Sequence, residues 1–232
     1  MPPVVCDLPA SRPPARAERA DSVAPTVYRA GMRLASSLLG PLKCSGCGRR
    51  SGPVCRSCWG RLIPPADVPV IPGIDRVVAA WEYDGPARNL VLDLKLGGAR
   101  WAAEPMAAAM CAAAVRSGLR GRALTWVPGH RSDSAQRGYD HAELLASRVG
   151  ALIGLTPARL LKRARPVVDQ ASLTARDRFA NLAGAFVAHP CPPAIVLVDD
   201  VVTTGATAAA CGAALRAAGA TWVEVLAACR RS

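Results

Sequence analysis

The sequence predicts an α/β domain built on a mostly parallel sheet, preceded by a small four-cysteine module. Three observations carry this. Apolar runs of strand length alternate with Ala-rich stretches of helical period from Arg76 to Cys229. One of these runs, AIVLV at Ala194 to Val198, holds no polar residue, as expected of a strand covered on both faces. Two C-x-x-C pairs, Cys44 with Cys47 and Cys55 with Cys58, lie close together ahead of the alternating region.

A chain of 232 residues suffices for one α/β domain and a small accessory module, and not for two large domains. Residues 1–30 are rich in Pro, Ala and Arg without apolar periodicity and read as a disordered tail. Met32 opens a stretch running directly into the cysteines and fits a translation start. Residues 31–65 form the cysteine module, and the Pro- and Val-rich stretch from Pro64 to Pro72 reads as a linker to a domain over 74–232. No apolar run reaches the roughly 18 residues of a membrane span, and Met1 to Arg19 lacks the apolar stretch of a signal peptide. A cytoplasmic location is therefore expected. There the nine cysteines do not form structural disulfides, so the clustered four read as a metal site.

The formal charge is +12, and all the basic residues except Lys43, Lys95 and Lys162 are Arg. Guanidinium forks grip phosphate oxygens in pairs, which suits phosphate-rich ligands. An Ala- and Arg-rich composition also follows simply from genomic base composition, so both readings stand.

Within the main domain, Arg76 to Tyr83 reads as a strand, and Pro86 opens a helix through Leu96 that Gly97-Gly98 ends. A second helix is expected over Pro105 to Arg116, then a buried strand at Ala123 to Pro128. Asp140 followed by Glu143 has the capping-box pattern of a helix whose apolar face is Leu145, Val149, Leu152 and Ile153. The Arg-rich segment Lys162 to Asn181 has no clean period and precedes a short strand at AGAFV. After AIVLV and its loop come an Ala-rich helix to about Ala218, a Gly219 cap, and a last strand at Thr221 to Cys229.

The string IVLVDDVVTTGAT, Ile195 to Thr207, carries the most chemistry. A buried strand is expected to end in Asp199 and Asp200, both projecting into the crevice beyond its carboxyl end. The backbone N–H groups of Thr203, Thr204, Gly205, Ala206 and Thr207 then lie at a helix N-terminus, where unpaired donors and partial positive charge favour a phosphate. This suits a ribose 5-phosphate: phosphate in the loop, hydroxyls against the acids, and Mg²⁺ bridging ribose and pyrophosphate oxygens. A nucleotide P-loop is excluded because no G-x-x-x-x-G-K-[ST] occurs. The loop after the strand at Ala123 offers Arg131 and Arg137 to an anion, and Lys162 to Arg178 is the candidate for a flexible basic loop.

Over its thirteen positions this string resembles the 5-phosphoribosyl pyrophosphate (PRPP) signature of the type I phosphoribosyltransferases. From about Lys43 onwards the chain is similar to the ComF (competence protein F) family. Four segments carry the resemblance: the cysteine knuckle, YDGPARNLVLDLKLGGAR, VPGHRSDSAQRGYDHAELLA and RPVVDQASLTARDRFANLAGAF. The resemblance implies a type I phosphoribosyltransferase fold with PRPP as ligand, and Asp199 and Asp200 as the catalytic acids. It further implies that Lys95, Arg131, Arg137, Gly138, Gln170, Leu173, Arg178 and Asn181 line or support the site. The family usually reads Arg-Gly-Phe-Asn-Gln where this chain has RGYDH. An acid beside a pyrophosphate loop is unhelpful unless it caps the helix, so Asp140 is read as the cap.

Cys44, Cys47, Cys55 and Cys58 have the spacing of a closed tetrahedral site for structural zinc, with Gly46 and Gly48 easing the turns. A redox role is disfavoured, because there are two such pairs and neither opens a long helix. Lys43, Arg49, Arg50, Arg56 and Arg61 surround them with no acid between. They offer a nucleic-acid contact or part of the counter-charge of a metal tetrathiolate.

Three functions compete at this level. One is an active PRPP-dependent transferase of unread acceptor. Another, implied by the family resemblance, is a DNA-uptake factor that binds single-stranded DNA and partner proteins of the competence machinery. The third is a structural adaptor with a vestigial pocket.

Overall fold

The computed structural model describes residues 43–129, 138–165 and 181–231. Four strands form one parallel sheet: β1 (Arg76–Glu82), β2 (Ala123–Trp126), β5 (Ala194–Val202) and β6 (Trp222–Arg230), in the order β1-β6-β5-β2. Register is set by β5 against β6, which runs from Ala194 opposite Trp222 to Val202 opposite Arg230. The two strands are the sheet's centre and are buried along almost their whole length. This is why they are written in Val, Leu, Ile and Ala with little alternation. The α/β class and the parallel sheet expected from the sequence are both present.

Helices cover both faces. On one lie α2 (Gly85–Lys95), α3 (Ala103–Ser117) and α4 (His141–Ile153), whose Leu90, Leu94, Met106, Met110 and Leu145 fill a core with Val196 and Val198. On the other lie α5 (Ala206–Ala217) and an antiparallel pair, β3 (Leu161–Arg163) with β4 (Phe186–Ala188). There Leu215, Cys211 and Phe186 pack on Ile195, Leu197 and Val225. The strand β3 lies where the sequence shows only an Arg-rich stretch. Three residues with one buried member give too short a pattern to read.

Each sheet edge has a partial cover. Glu82 of β1 donates its N–H to Ile63 C=O (2.8 Å), and Ala158 donates to Leu124 C=O of β2 (2.8 Å). Exposed edges invite pairing with other chains, and these contacts blunt them. One residue of the Pro-rich stretch read as a linker enters the core: Ile71 is only 2% exposed and packs with Val202 and Ala208 on the α5 side.

One buried acid ties the amino-terminal end of the sheet together. Glu224 on β6 is wholly buried, and its Oε2 accepts from the N–H groups of Arg120 and Gly121, each at 2.7 Å. Arg76 lies 3.5 Å from its other oxygen. Glu224→Ala would leave two part-buried amides without their acceptor and Arg76 without its counter-charge, and should cost about 2–4 kcal/mol. Glu224→Gln keeps an accepting oxygen and should cost clearly less. Urea denaturation of both variants checks this.

Candidate functional site

Strand β5 does not stop at Val198 but continues through both acids to Val202. Successive residues of a strand leave the backbone on opposite sides, yet the two carboxyls come within hydrogen-bonding reach of each other. Asp199 is half-buried, and its Oδ1 accepts the N–H of Asp200 at 2.8 Å. Its carboxylate is close enough to α5 to raise the thiol of Cys211 further, after burial has done most of that work. Asp200, only 2% exposed, faces the α2 and α4 side.

There Lys95, the last residue of α2, brings Nζ to 2.7 Å from Asp200 Oδ2, and His141 at the start of α4 brings Nε2 to 3.4 Å. Burial alone would raise the Asp200 carboxyl, but the charges of Lys95 and then His141 outweigh it and hold it below the usual carboxylate range. Burial likewise works against the Lys95 ammonium, and Asp200 reverses that. Lys95 also pulls on Asp199, but more weakly than burial and Asp200 push against it. Burial, and then the neighbouring charge of Asp200, push its carboxyl up to about 8. Adjacent residues of one type thus hold opposite protonation states near neutrality.

The loop beyond the strand has an exposed Thr203, half-buried Thr204 and Thr207, and buried Gly205 and Ala206. Gly205 caps α5 at φ 78°, the left-handed region that a side chain disfavours. A Cβ there would also lie 2.6 Å from Ile71 Cδ1. The Ala206 N–H donates to Thr204 Oγ1 at 3.4 Å. Among the described residues the N–H groups of Thr203, Thr204, Gly205 and Thr207 make no hydrogen bond. A helix start with free amides beside an acid can receive an anion that also carries hydroxyl groups.

Of the residues expected on the anion-binding and flexible loops, Arg131, Arg137, Gln170, Leu173 and Arg178 lie outside the described residues. The borders of those segments are informative. Asp140 is the N-cap of α4: its Oδ1 accepts from Ala142 N–H (2.9 Å) and Glu143 N–H (3.3 Å), while its Oδ2 accepts from Gly129 N–H (2.9 Å). The acid that departs from the family pattern therefore joins the end of the β2 segment to the start of α4. Glu143 does not return the bond of a full capping box and pairs with Arg159 instead (2.7 Å). Arg163 of β3 donates from Nε to Pro128 C=O (3.0 Å), and Asn181 C=O accepts from Arg165 (2.7 Å). Tyr139 Oη donates to Leu94 C=O at 2.5 Å, next to Lys95. Tyr139 lies in the RGYDH string without a role read for it, and Arg163 is marked by no motif. A Tyr just ahead of a cap and an Arg at a strand end are too common to stand out.

The four cysteines of the N-terminal module bring their sulfurs within 4.8 Å of one another, a cluster that could hold a structural zinc. A short helix α1 (Arg56–Trp59) carries Cys58, and its N-cap Cys55 accepts the Cys58 N–H at Sγ (3.5 Å). That amide, together with the neighbouring thiols, lowers Cys55 to about 7 despite partial burial. Gly46 has to be glycine, since a Cβ would sit 2.5 Å from Cys58 Sγ. The module is packed on the domain. Trp59 meets Trp81 of β1 edge to face at 5.9 Å, Asn89 of α2 donates to Ser45 C=O (2.8 Å), and Cys44, Val54 and Cys58 share the core of α2.

No family model matches the chain. Known relatives do match it over most of its length. Competence protein F of Haemophilus influenzae is 29% identical over 201 residues, 78% of this chain and 87% of its own. The DNA utilization protein YhgH of Salmonella typhi is 30% identical over 199 residues, 81% of this chain and 83% of its own. The chain belongs to the ComF family. In this ComF-family chain, no helix among the described residues is long and apolar enough to cross a membrane.

The Gly205 turn gives this ComF-family site its most direct test. Gly205→Ala meets both a left-handed backbone and Ile71, and should destabilise by about 2–4 kcal/mol. Pairing it with Ile71→Ala should recover the steric part and leave the backbone part. Thermal unfolding of the single and double variants separates the two.

Proposed function

We propose that the protein is a phosphoribosyltransferase-like member of the ComF family that binds PRPP, or a related ribose phosphate, with Mg²⁺ in a role linked to competence or DNA uptake. The observation that carries this is the end of β5: an acid beside four unbonded loop amides at the start of a twelve-residue helix. The amides from Thr203 to Thr207 suit a 5-phosphate, and Asp199 suits the ribose hydroxyls. Mg²⁺, when bound with the ligand, would supply positive charge against the pyrophosphate. The acceptor is left open by this reading. The role in DNA uptake comes from the names of the two relatives. In the same reading the cysteine cluster holds zinc, closed to water and structural.

A second reading, a single-stranded DNA-binding factor without transferase activity, is favoured by one feature. Lys43, Arg49, Arg50, Arg56 and Arg61 are all exposed, and among the described residues none is in an ion pair. Trp59, half-buried beside them, meets Trp81 edge to face.

Calorimetry tests the first reading. With Asp199 near 8, its carboxyl is mostly protonated at pH 7 and a bound Mg²⁺-PRPP would favour the ionised form. Binding at pH 7 should release close to one proton, seen as a dependence on buffer ionisation enthalpy, and the release should fade above pH 8 and vanish in Asp199→Asn. Absence of any PRPP binding overturns the reading. For the second, affinity for an unstructured oligonucleotide should fall steeply with salt, and Arg49→Ala with Arg56→Ala should flatten that slope by about two charges.

A further inference from the structure

Four thiols can close around a metal and still be open to solvent on one side. In this cluster each C-x-x-C turn has an inner and an outer sulfur. Cys44 and Cys58 are each only 2% exposed and belong to the apolar layer shared with α2, whereas Cys47 is exposed and Cys55 half-buried. The two outer sulfurs come from different turns, and they lie 3.7 Å apart.

The inner side is tied down. Cys44 Sγ accepts the N–H of Cys55 at 3.3 Å, the Gly48 N–H donates to Cys44 C=O at 2.8 Å, and Asn89 of α2 donates to Ser45 C=O at 2.8 Å. Gly46 leaves no room beside Cys58 Sγ, since a Cβ there would lie 2.5 Å from it. Around the outer sulfurs the exposed charges are Arg49, Arg50 and Arg56, and no acid occurs from Lys43 to Arg61. Cationic surroundings favour a sulfur that reacts as thiolate. Oxidation of cysteine follows thiolate character and access, so exposure selects Cys47 as the first sulfur to react and proximity selects Cys55 as the second.

We infer that Cys47 and Cys55 form an oxidation site, closed by a peroxide-class oxidant into a disulfide that joins the two turns and opens the metal cage. This rests on the reading of the cluster as a zinc site. Cys47 attacks the peroxide: a sulfur–oxygen bond forms, the oxygen–oxygen bond breaks, and the departing hydroxide takes a proton and leaves as water. Cys55 then attacks the Cys47 sulfur, so that the sulfur–sulfur bond forms, the sulfur–oxygen bond breaks, and a second water leaves in the same way. The sulfurs together lose two electrons and the peroxide gains them. Cys44 and Cys58 remain, too few ligands for a closed tetrahedral site. The linkage differs from that of a C-x-x-C redox enzyme, which would join an inner to an outer sulfur within one turn.

The full chain, purified with zinc under reducing conditions and then freed of reductant, is treated with hydrogen peroxide. A chromogenic chelator follows metal release, and peptide mapping after the remaining thiols are blocked identifies the disulfides. About one zinc ion should be released per disulfide, with Cys47 linked to Cys55, and a thiol reductant with added zinc should reverse both changes. Two variants keep a fourth metal ligand. Cys47→His should slow release about tenfold, and Cys55→His should leave Cys47 as a sulfenic acid that dimedone traps. Zinc content and circular dichroism check that each is loaded and folded. A linkage within one turn, Cys44 to Cys47 or Cys55 to Cys58, overturns the assignment, as does zinc that survives the peroxide or leaves without a disulfide between Cys47 and Cys55. The mapping of the parent chain decides this even if neither variant retains metal. A parent chain that purifies with no zinc overturns the zinc reading itself, a result distinct from those.

Discussion

A carboxylate buried among apolar side chains has to be answered by a cation, and in this protein the answer to Asp200 organises the site. Lys95 reaches it from the end of α2 and His141 from the start of α4, so one acid on the central strand ties two helices to the carboxyl end of the sheet. Neither helix could shift along the sheet without exposing that acid to an uncompensated interior. Tyr139 and Asp140 reinforce the junction through Leu94 C=O and Gly129 N–H. The effect is a rigid wall on one side of the strand end. The opposite side, where Asp199 and the glycine-capped start of α5 lie, offers amides with no bonds of their own.

The cysteine module belongs to the same construction. It has little core of its own, and its buried residues Cys44, Val54 and Cys58 join the apolar layer that α2 and β1 supply. Four thiols so close together hold their protons unevenly: burial pushes Cys58 up to about 12, while the Cys58 N–H and the neighbouring thiols pull Cys55 to about 7. A metal held there would take every sulfur as thiolate. The module and α2 then stabilise one another, since Asn89 holds the first cysteine turn through Ser45.

Much of this was legible from residue types alone. The strands β1, β2 and β6, the helix opened by Pro86 and the cap at Asp140 follow from apolar runs and from residues whose backbone preferences are strong. The cysteine cluster follows from spacing. What escaped depends on where a strand stops. A pair of acids after an apolar run reads as a strand end, yet pairing with β6 carries β5 on to Val202, because the hydrogen-bonding partner and not the side chain sets the length. That extension puts Asp199 and Asp200 inside a paired strand and not in the loop beyond it, a consequence no local pattern encodes. Lys95 lies over a hundred positions earlier in the chain than its partner, and only the folded arrangement of α2 over the sheet brings them together. Ile71, one of three apolar residues in a short stretch broken by prolines, gave no periodic signal at all.

That isoleucine has a practical corollary. It forms the floor under the tightest turn on the α5 side of the site, the one built from Gly205, and it reaches there from a stretch that looks dispensable. A truncated fragment beginning at Ile74 would carry every strand of the sheet and every loop amide, and would still lack the side chain against which that turn is moulded. Dissecting this polypeptide at its prolines would therefore alter the very feature such a dissection sets out to isolate.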